Sequence, residues 1–129
     1  MQNKYIVTAA FLGAFTVALG AFGAHALKQL VSEQALITYE TAVRYQFYHV
    51  FALALTGILL NKNPSKLFRN AGLSFIIGIS LFCGSLYTLT FMAYIGNTNF
   101  KWIGPVTPIG GLFLIIGWIQ LGLGLKKSG

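Results

Sequence analysis

Residues 71–95 read AGLSFIIGISLFCGSLYTLTFMAYI, a long run without a single charged side chain. A helix needs about 20 predominantly apolar residues to cross the hydrocarbon core of a bilayer. Three further apolar stretches of similar length extend from about Tyr5 to Leu27, from Ala42 to Leu60 and from Val106 to Leu125. We therefore predict an all-α integral membrane protein with four transmembrane helices.

The composition supports this class. Charged residues make up 9% of the 129 residues and apolar types 56%, and the mean hydropathy is +0.71, whereas a soluble domain carries about 25% charged residues. Four spans use most of the length, so residues 1–129 are predicted to form a single transmembrane domain. A function must then lie between the helices or at their ends.

The net charge of +7 does not indicate a nucleic-acid partner, because the basic residues are scattered over the ends of apolar segments. If all four stretches cross, one side carries twice as many basic residues as the other. That side holds Lys4, Lys62, Lys66, Arg69, Lys126 and Lys127, and the opposite side holds Lys28, Arg44 and Lys101. The positive-inside rule then predicts that both termini are cytoplasmic.

Small residues mark two predicted helix contacts. In the first segment Ala14, Ala18 and Ala21 share a stripe with His25, so we expect this helix to be central and His25 to face protein. The small residues around His25 also resemble a signal-peptide cleavage site, but the apolar run is long for a signal core, and we expect a retained span. In the fourth segment Gly110, Gly117 and Gly124 form a second seam, which is also a route to self-association.

The second segment has a polar extension before it. Ser32 is the predicted N-cap, and a helix from there to Leu60 exceeds the thickness of the bilayer core, so its first turns lie in the interface. Glu40 and Arg44 are four residues apart, with the acid first, in the order that favours an ion pair. At the start of the fourth segment, Thr107 is the predicted N-cap, and the proline after it suits the first helical turn.

Ionisable groups are costly in lipid, so His25, Glu40, Arg44 and His49 are the default candidates for a site. His25 and His49 have similar predicted depths and could meet. Three hypotheses stay open for them: hydrogen bonding in a buried network, proton transfer or pH sensing, and metal or haem ligation. For Glu40 and Arg44 the choice is between a gate or head-group clamp and an interfacial ion pair.

Catalysis is not predicted. The chain has no Asp, no metal-ligand motif at the usual spacing and no phosphate loop. Cys83 is alone in an apolar stretch, which favours a packing role. Ser85 has no base nearby in the sequence, and its hydroxyl is interpreted as a hydrogen-bond donor between helices. No cofactor is predicted.

Four motifs in this order resemble one family: GAFGAHAL at 20–27, RYQFYH at 44–49, FCGSLY at 82–87 and VTPIGG at 106–111. It is the domain-of-unknown-function family of small bacterial inner-membrane proteins typified by YgdD and YwdK. The resemblance implies four helices in the bacterial inner membrane and no established activity. Eight residues in these motifs are also candidate site or core residues by this resemblance: His25, Tyr45, Gln46, His49, Ser85, Tyr87, Thr107 and Pro108.

The leading functional hypothesis is a non-enzymatic assembly or lipid-interacting accessory, with a buried polar network that contains histidine. The alternative is a small transporter or channel component for protons, metal ions or small solutes. The expected partners are membrane lipids and, for assembly, other membrane proteins or a second copy of the chain.

Overall fold

The computed structural model describes residues 3–97, 99 and 101–129, which contain helices and turns but no strand. The α-helices are α1 (Asn3–Ala24), α2 (Glu33–Lys62), α3 (Lys66–Gly78), α4 (Gly84–Tyr94) and α5 (Val106–Ser128). A π-helical turn, Ile79–Cys83, joins α3 and α4 into one span. Four segments are long and apolar enough to cross a membrane: Lys4–Gln29, Glu33–Lys62, Lys66–Tyr94 and Lys101–Ser128. The predicted fold class is confirmed.

Helix α2 lies at the centre of the molecule. It begins as predicted, with the Ser32 Oγ accepting a hydrogen bond from the backbone N–H of Ala35 at 3.2 Å. It makes contacts with α1, α3 and α4. Most of its buried residues recur every three or four positions, as one face of a helix requires: Ala35, Tyr39, Ala42, Gln46, His49, Leu53, Thr56 and Leu60. Val50, Ala52 and Gly57 are also buried and widen this face.

Helix α1 is peripheral, and the prediction that it is central is wrong. One narrow line of its residues is buried, Ala9, Thr16 and Gly23, whereas Ala14, Ala18, Ala21 and His25 are exposed. Lipid tails are as apolar as protein interiors, so small residues permit a close contact without deciding which face makes it. Hydrogen bonds to α2 decide it here, because Tyr39 donates to the Leu19 carbonyl and Gln46 donates to Thr16.

Helix α5 packs antiparallel to the span formed by α3 and α4, and the predicted glycine seam is confirmed as a close contact. A Cβ atom added to Gly124, Gly117 or Gly110 would lie within 3 Å of Phe68, Phe75 or Phe82, respectively. Both sets recur every seven residues. The rings of Phe68 and Phe75 lie against Gly124 and Gly117, and the backbone at Phe82 lies against Gly110. The seam is therefore filled within the chain and leaves no open surface for a second copy.

Helix α5 begins at Val106, after Pro105, without a side-chain cap. Thr107 is therefore not the N-cap, contrary to the prediction, but lies in the first turn with the proline that follows it. Helix α1 packs mainly on α2, and α5 packs mainly on α3, the π-helical turn and α4, with no extensive contact between α1 and α5 among the described residues. The bundle is consequently open, and grooves remain on both sides of α2.

Candidate functional site

His49 and Trp118 form the polar contact between α2 and α5. The indole Nε1–H of Trp118 donates to the His49 Nε2 atom at 3.0 Å. The other ring nitrogen, Nδ1, is 2.6 Å from the carbonyl oxygen of Tyr45 one turn earlier. A carbonyl only accepts, so Nδ1 carries the proton and Nε2 is the acceptor. Both nitrogens of this neutral tautomer are used, and a second proton on Nε2 would remove the bond to Trp118.

Aromatic rings surround this pair. The His49 ring lies 5.9 Å from the Trp118 ring and 5.8 Å from the Phe75 ring, centroid to centroid. Tyr45 stacks on the other side of His49 at 6.3 Å, and its ring also packs against Phe82 at 5.0 Å. His49 is 5% exposed as a result. This ring packing holds the imidazole in the orientation that its two hydrogen bonds require.

A groove of about 510 Å³ opens beside this pair, between α2 and α5. We call it the aromatic groove. Trp118 is 46% exposed and Tyr48 is 50% exposed, so both present a face to whatever occupies it. The groove is lined by Tyr45, Tyr48, His49, Phe82, Gly111, Leu114, Ile115 and Trp118.

A second polar group links α1, α2 and α4. The Tyr87 hydroxyl donates to the Gln46 Oε1 atom at 2.8 Å, and the Gln46 Nε2 atom donates to the Thr16 Oγ1 atom at 2.6 Å. The Thr16 hydroxyl then donates to the Leu12 carbonyl oxygen at 2.6 Å. This chain ends on a backbone acceptor. Gln46, at 2% exposed, joins both neighbouring helices.

We expect Gln46→Leu to lower the free energy of unfolding by about 1 kcal/mol, because it leaves the Tyr87 hydroxyl without its acceptor in an apolar interior. The measurement is reversible unfolding in detergent. The matched variant Tyr87→Phe removes the donor instead, and the double variant should lose less than the sum of the two single losses. Additive losses would contradict the direct bond between these side chains.

A third polar contact lies at the predicted outer end. The Ser85 Oγ atom is 2.8 Å from the Phe82 carbonyl oxygen and 2.5 Å from the Thr107 Oγ1 atom. Each hydroxyl has one proton, so Ser85 donates to the carbonyl and Thr107 donates to Ser85. This bond lies at the start of α5 and joins that helix to α4.

The structure separates the other predicted site residues from these groups. His25 is exposed, with its Nδ1 atom 2.9 Å from the Ala21 carbonyl oxygen, so the expectation that it faces protein is wrong, and it does not meet His49. Glu40 and Arg44 are both exposed on α2. Neither forms an ion pair or a side-chain hydrogen bond within the described part of the chain. Tyr45 contributes its ring and its carbonyl to the His49 site.

The sequence reasoning missed Trp118 and Thr16. Trp118 lies about 18 Å into α5 at 1.5 Å per residue, far from the membrane boundary where tryptophan usually settles. An indole N–H at that depth needs an acceptor, so the position of Trp118 was a signal for a buried acceptor on a neighbouring helix. Thr16 is one of two threonines in α1, and its position in the middle of an apolar helix was the available signal.

Metal ligation finds little support in this geometry. Neither nitrogen of His49 is free, and no group of three or more His, Cys, Asp or Glu side chains that could hold a metal ion occurs among the described residues. Cys83 is buried and unpaired in the π-helical turn. What the arrangement offers is internal pairing of polar groups beside an apolar groove.

The fold and these contacts define a class: an integral membrane protein of four spans whose polar side chains pair between helices. Within that class, the chain belongs to the family described as protein of unknown function DUF423, whose profile matches residues 19–111. The prediction of a YwdK-type family is confirmed.

Three relatives illustrate the family. The chain is 44% identical to a UPF0382 membrane protein of Haemophilus influenzae, over 99% of this chain and 98% of the relative. It is 38% identical to UPF0382 membrane protein SAB0533 of Staphylococcus aureus over 93% of each chain. It is 35% identical to UPF0382 membrane protein YwdK of Bacillus subtilis, over 93% of this chain and 94% of the relative. No solved structure matches the chain.

Proposed function

We propose that this protein is a non-enzymatic accessory of the membrane that holds the acyl chain of a lipid in the aromatic groove. The observation that carries the proposal is the groove itself, about 510 Å³ in volume, with the His49–Trp118 pair at its wall. Ligand sites are typically concave and apolar, with a few polar groups in fixed positions. This groove has those properties and opens between α2 and α5, where Tyr48 and Trp118 are exposed.

The chemistry of the wall favours a hydrocarbon occupant. His49 and Trp118 satisfy each other, so these two groups require no hydrogen bond from a ligand. Polar groups of an occupant that lay against His49 and Trp118 would remain unpaired there, which is costly. An acyl chain has no such groups. The rings of Tyr45 and Tyr48 supply apolar contact area, and their hydroxyls suit the more polar end of a lipid.

The transporter alternative has less support. Every buried side-chain nitrogen and oxygen atom in the described residues has a hydrogen-bond partner, so these groups are engaged with one another rather than with a passing solute. The hydrogen-bond chain through Gln46 ends on the Leu12 carbonyl oxygen, which has no proton to pass on. An amide side chain is also a poor proton carrier at neutral pH.

The orientation follows from charge. In this proposal the protein lies in the bacterial inner membrane with both termini in the cytoplasm. The end of the molecule that holds the termini carries six of the nine basic residues. The two glutamates, Glu33 and Glu40, are at the opposite end. Basic residues near span ends are retained on the cytoplasmic side. The outer half of the membrane then contains the aromatic groove.

Quenching of Trp118 fluorescence by a brominated phospholipid tests the groove. The chain has two tryptophans, so Trp102→Phe leaves Trp118 as the sole emitter. Delipidated protein in an unbrominated detergent is titrated with the brominated lipid. We expect quenching that saturates near one lipid per chain, because the bromine atoms on a seated acyl chain would touch the indole.

Two substitutions in α5 provide the matched control. A Cβ atom at Gly111 would lie 3.6 Å from the Phe82 ring, an ordinary contact, and nothing lies within 4 Å of one at Gly122. Gly111→Phe fills the groove and should abolish the saturable quenching, whereas Gly122→Phe should leave it unchanged. Equal quenching in the two variants, or quenching that never saturates, would refute the proposal.

A further inference from the structure

A second groove lies on the other side of α2, between α2 and α1. It measures about 380 Å³ and is lined mainly by small and aliphatic residues of α1 and by two phenylalanines of α2. Phe47 and Phe51 lie roughly opposite Tyr45 and His49 around α2 at helical spacing. The two grooves are therefore separated by the helix itself. Lining residues of this second groove include Ile6, Ala10, Ala14, Val17, Phe47 and Phe51.

The length of this groove matches half a bilayer. Along α1 it extends from Ile6 to Val17, about 17 Å at 1.5 Å per residue, and half of a bilayer core is about 15 Å. The groove begins close to the end of the molecule that holds the termini. An acyl chain from the lipid leaflet on that side would follow the groove from this end to mid-membrane.

Positive charge is concentrated at the end where the groove begins. Ile6 of α1 lies against Gly57 of α2, since a Cβ atom on Gly57 would be 2.6 Å from its Cγ1 atom. This register places Lys4 and Lys62 beyond Ile6 and Gly57, at the same end. Four more basic residues lie at this end of the spans, and the full set, Lys4, Lys62, Lys66, Arg69, Lys126 and Lys127, is exposed.

No carboxylate side chain balances this charge. The two glutamates of the chain, Glu33 and Glu40, are near the start of α2, at the opposite end of the molecule. A lipid head group at the mouth of the groove would therefore meet an uncompensated positive field. Basic clusters beside membrane spans attract anionic lipids for this reason.

We propose that the groove between α1 and α2 holds one acyl chain of a phospholipid with a negatively charged head group, which the basic residues at that end of the molecule select. The site lies on the opposite side of α2 from the aromatic groove, extends toward the end of the molecule that holds the termini, and differs from the aromatic groove in selecting by charge. Its occupancy does not depend on the function proposed above.

Native mass spectrometry with two lipids tests the charge selection. Delipidated protein in a neutral detergent is titrated with phosphatidylglycerol and, separately, with phosphatidylcholine of the same acyl chains. We expect phosphatidylglycerol to bind at least tenfold more tightly at low salt and the preference to fall as salt screens the charges. Equal affinity for the two lipids would overturn the proposal.

Charge variants test which end of the molecule selects the lipid. Lys4→Gln and Lys62→Gln should each weaken phosphatidylglycerol binding about fivefold and leave phosphatidylcholine binding unchanged. The matched control, Lys101→Gln, removes a basic residue at the opposite end and should change neither affinity. An equal loss in Lys101→Gln would show a general charge effect and would overturn the assignment to this end.

Groove variants test where the acyl chain lies. Ala14 lines the groove and Ala21, also exposed on α1, does not. Ala14→Phe should lower phosphatidylglycerol affinity at least tenfold, and Ala21→Phe should leave it unchanged. Equal effects would place the lipid elsewhere. Quenching of Trp118 by brominated lipid should be unchanged in Ala14→Phe, because Ala14 does not line the aromatic groove. The two experiments therefore distinguish loss of lipid from this groove from loss of lipid from the aromatic groove.

Discussion

Gly110→Ala is expected to lower the free energy of unfolding by about 3 kcal/mol, more than alanine at Gly117 or Gly122 of the same helix. The new Cβ atom would lie 2.3 Å from the Phe82 backbone nitrogen and 2.8 Å from the Phe82 Cα atom. No rotation of a side chain relieves a contact with backbone, so α5 must move away from the span formed by α3 and α4. Reversible unfolding in detergent micelles measures the loss.

The same helix contains the controls. Gly122→Ala meets nothing within 4 Å and should be neutral or stabilise the helix by about 0.5 kcal/mol. Gly117→Ala should fall between them, because its Cβ atom would meet the Phe75 ring, at 2.7 Å. Phe75→Leu should restore part of that loss, whereas Phe82→Leu should not rescue Gly110→Ala. Equal stability of Gly110→Ala and Gly122→Ala would contradict the described seam.

His49→Phe is expected to lower the free energy of unfolding by about 2 kcal/mol, even though phenylalanine keeps an aromatic ring at this position. The substitution removes the acceptor for the Trp118 N–H, which lies 3.0 Å from the His49 Nε2 atom. Water is absent at this depth of a membrane, so the indole proton finds no substitute partner. Thermal or denaturant unfolding in detergent measures the effect.

A double-mutant cycle separates the hydrogen bond from packing. Trp118→Phe removes the donor, and the combined variant His49→Phe with Trp118→Phe should be more stable than the two single losses predict. His49→Gln supplies another acceptor and should recover part of the stability. If the losses in unfolding free energy of the single variants add up to that of the double variant, His49 and Trp118 contribute to stability only through packing of their rings.

Much of the fold was predictable because length and hydropathy alone determine that four segments can span a membrane. Helix α2 was the clearest case, with its N-cap at Ser32 and its extension before the apolar run. The lateral order of the helices was not predictable. Helix α1 shows the reason: its exposed alanine face and its buried line through Thr16 are both apolar enough for lipid, so hydropathy does not distinguish them.

The candidate site was predicted in part. Gln46, His49, Ser85, Tyr87 and Thr107 were named from the sequence, and the structure places all five in hydrogen bonds between helices. Their partners were not predictable, because the choice depends on how the helices align. The glycine repeat in α5 was visible, but its match to the phenylalanine repeat was not, since local sequence does not indicate which helix packs on which.

The π-helical turn between Gly78 and Gly84 has a consequence for how the family can change in length. Its hydrogen-bonded loop contains one residue more than a loop of an α-helix does. Loss of that one residue would convert the turn to regular α-helix while leaving Phe75 before it and Ser85 after it directed at the same neighbours. This turn is thus the position in the third span where a single-residue deletion disturbs the flanking contacts least.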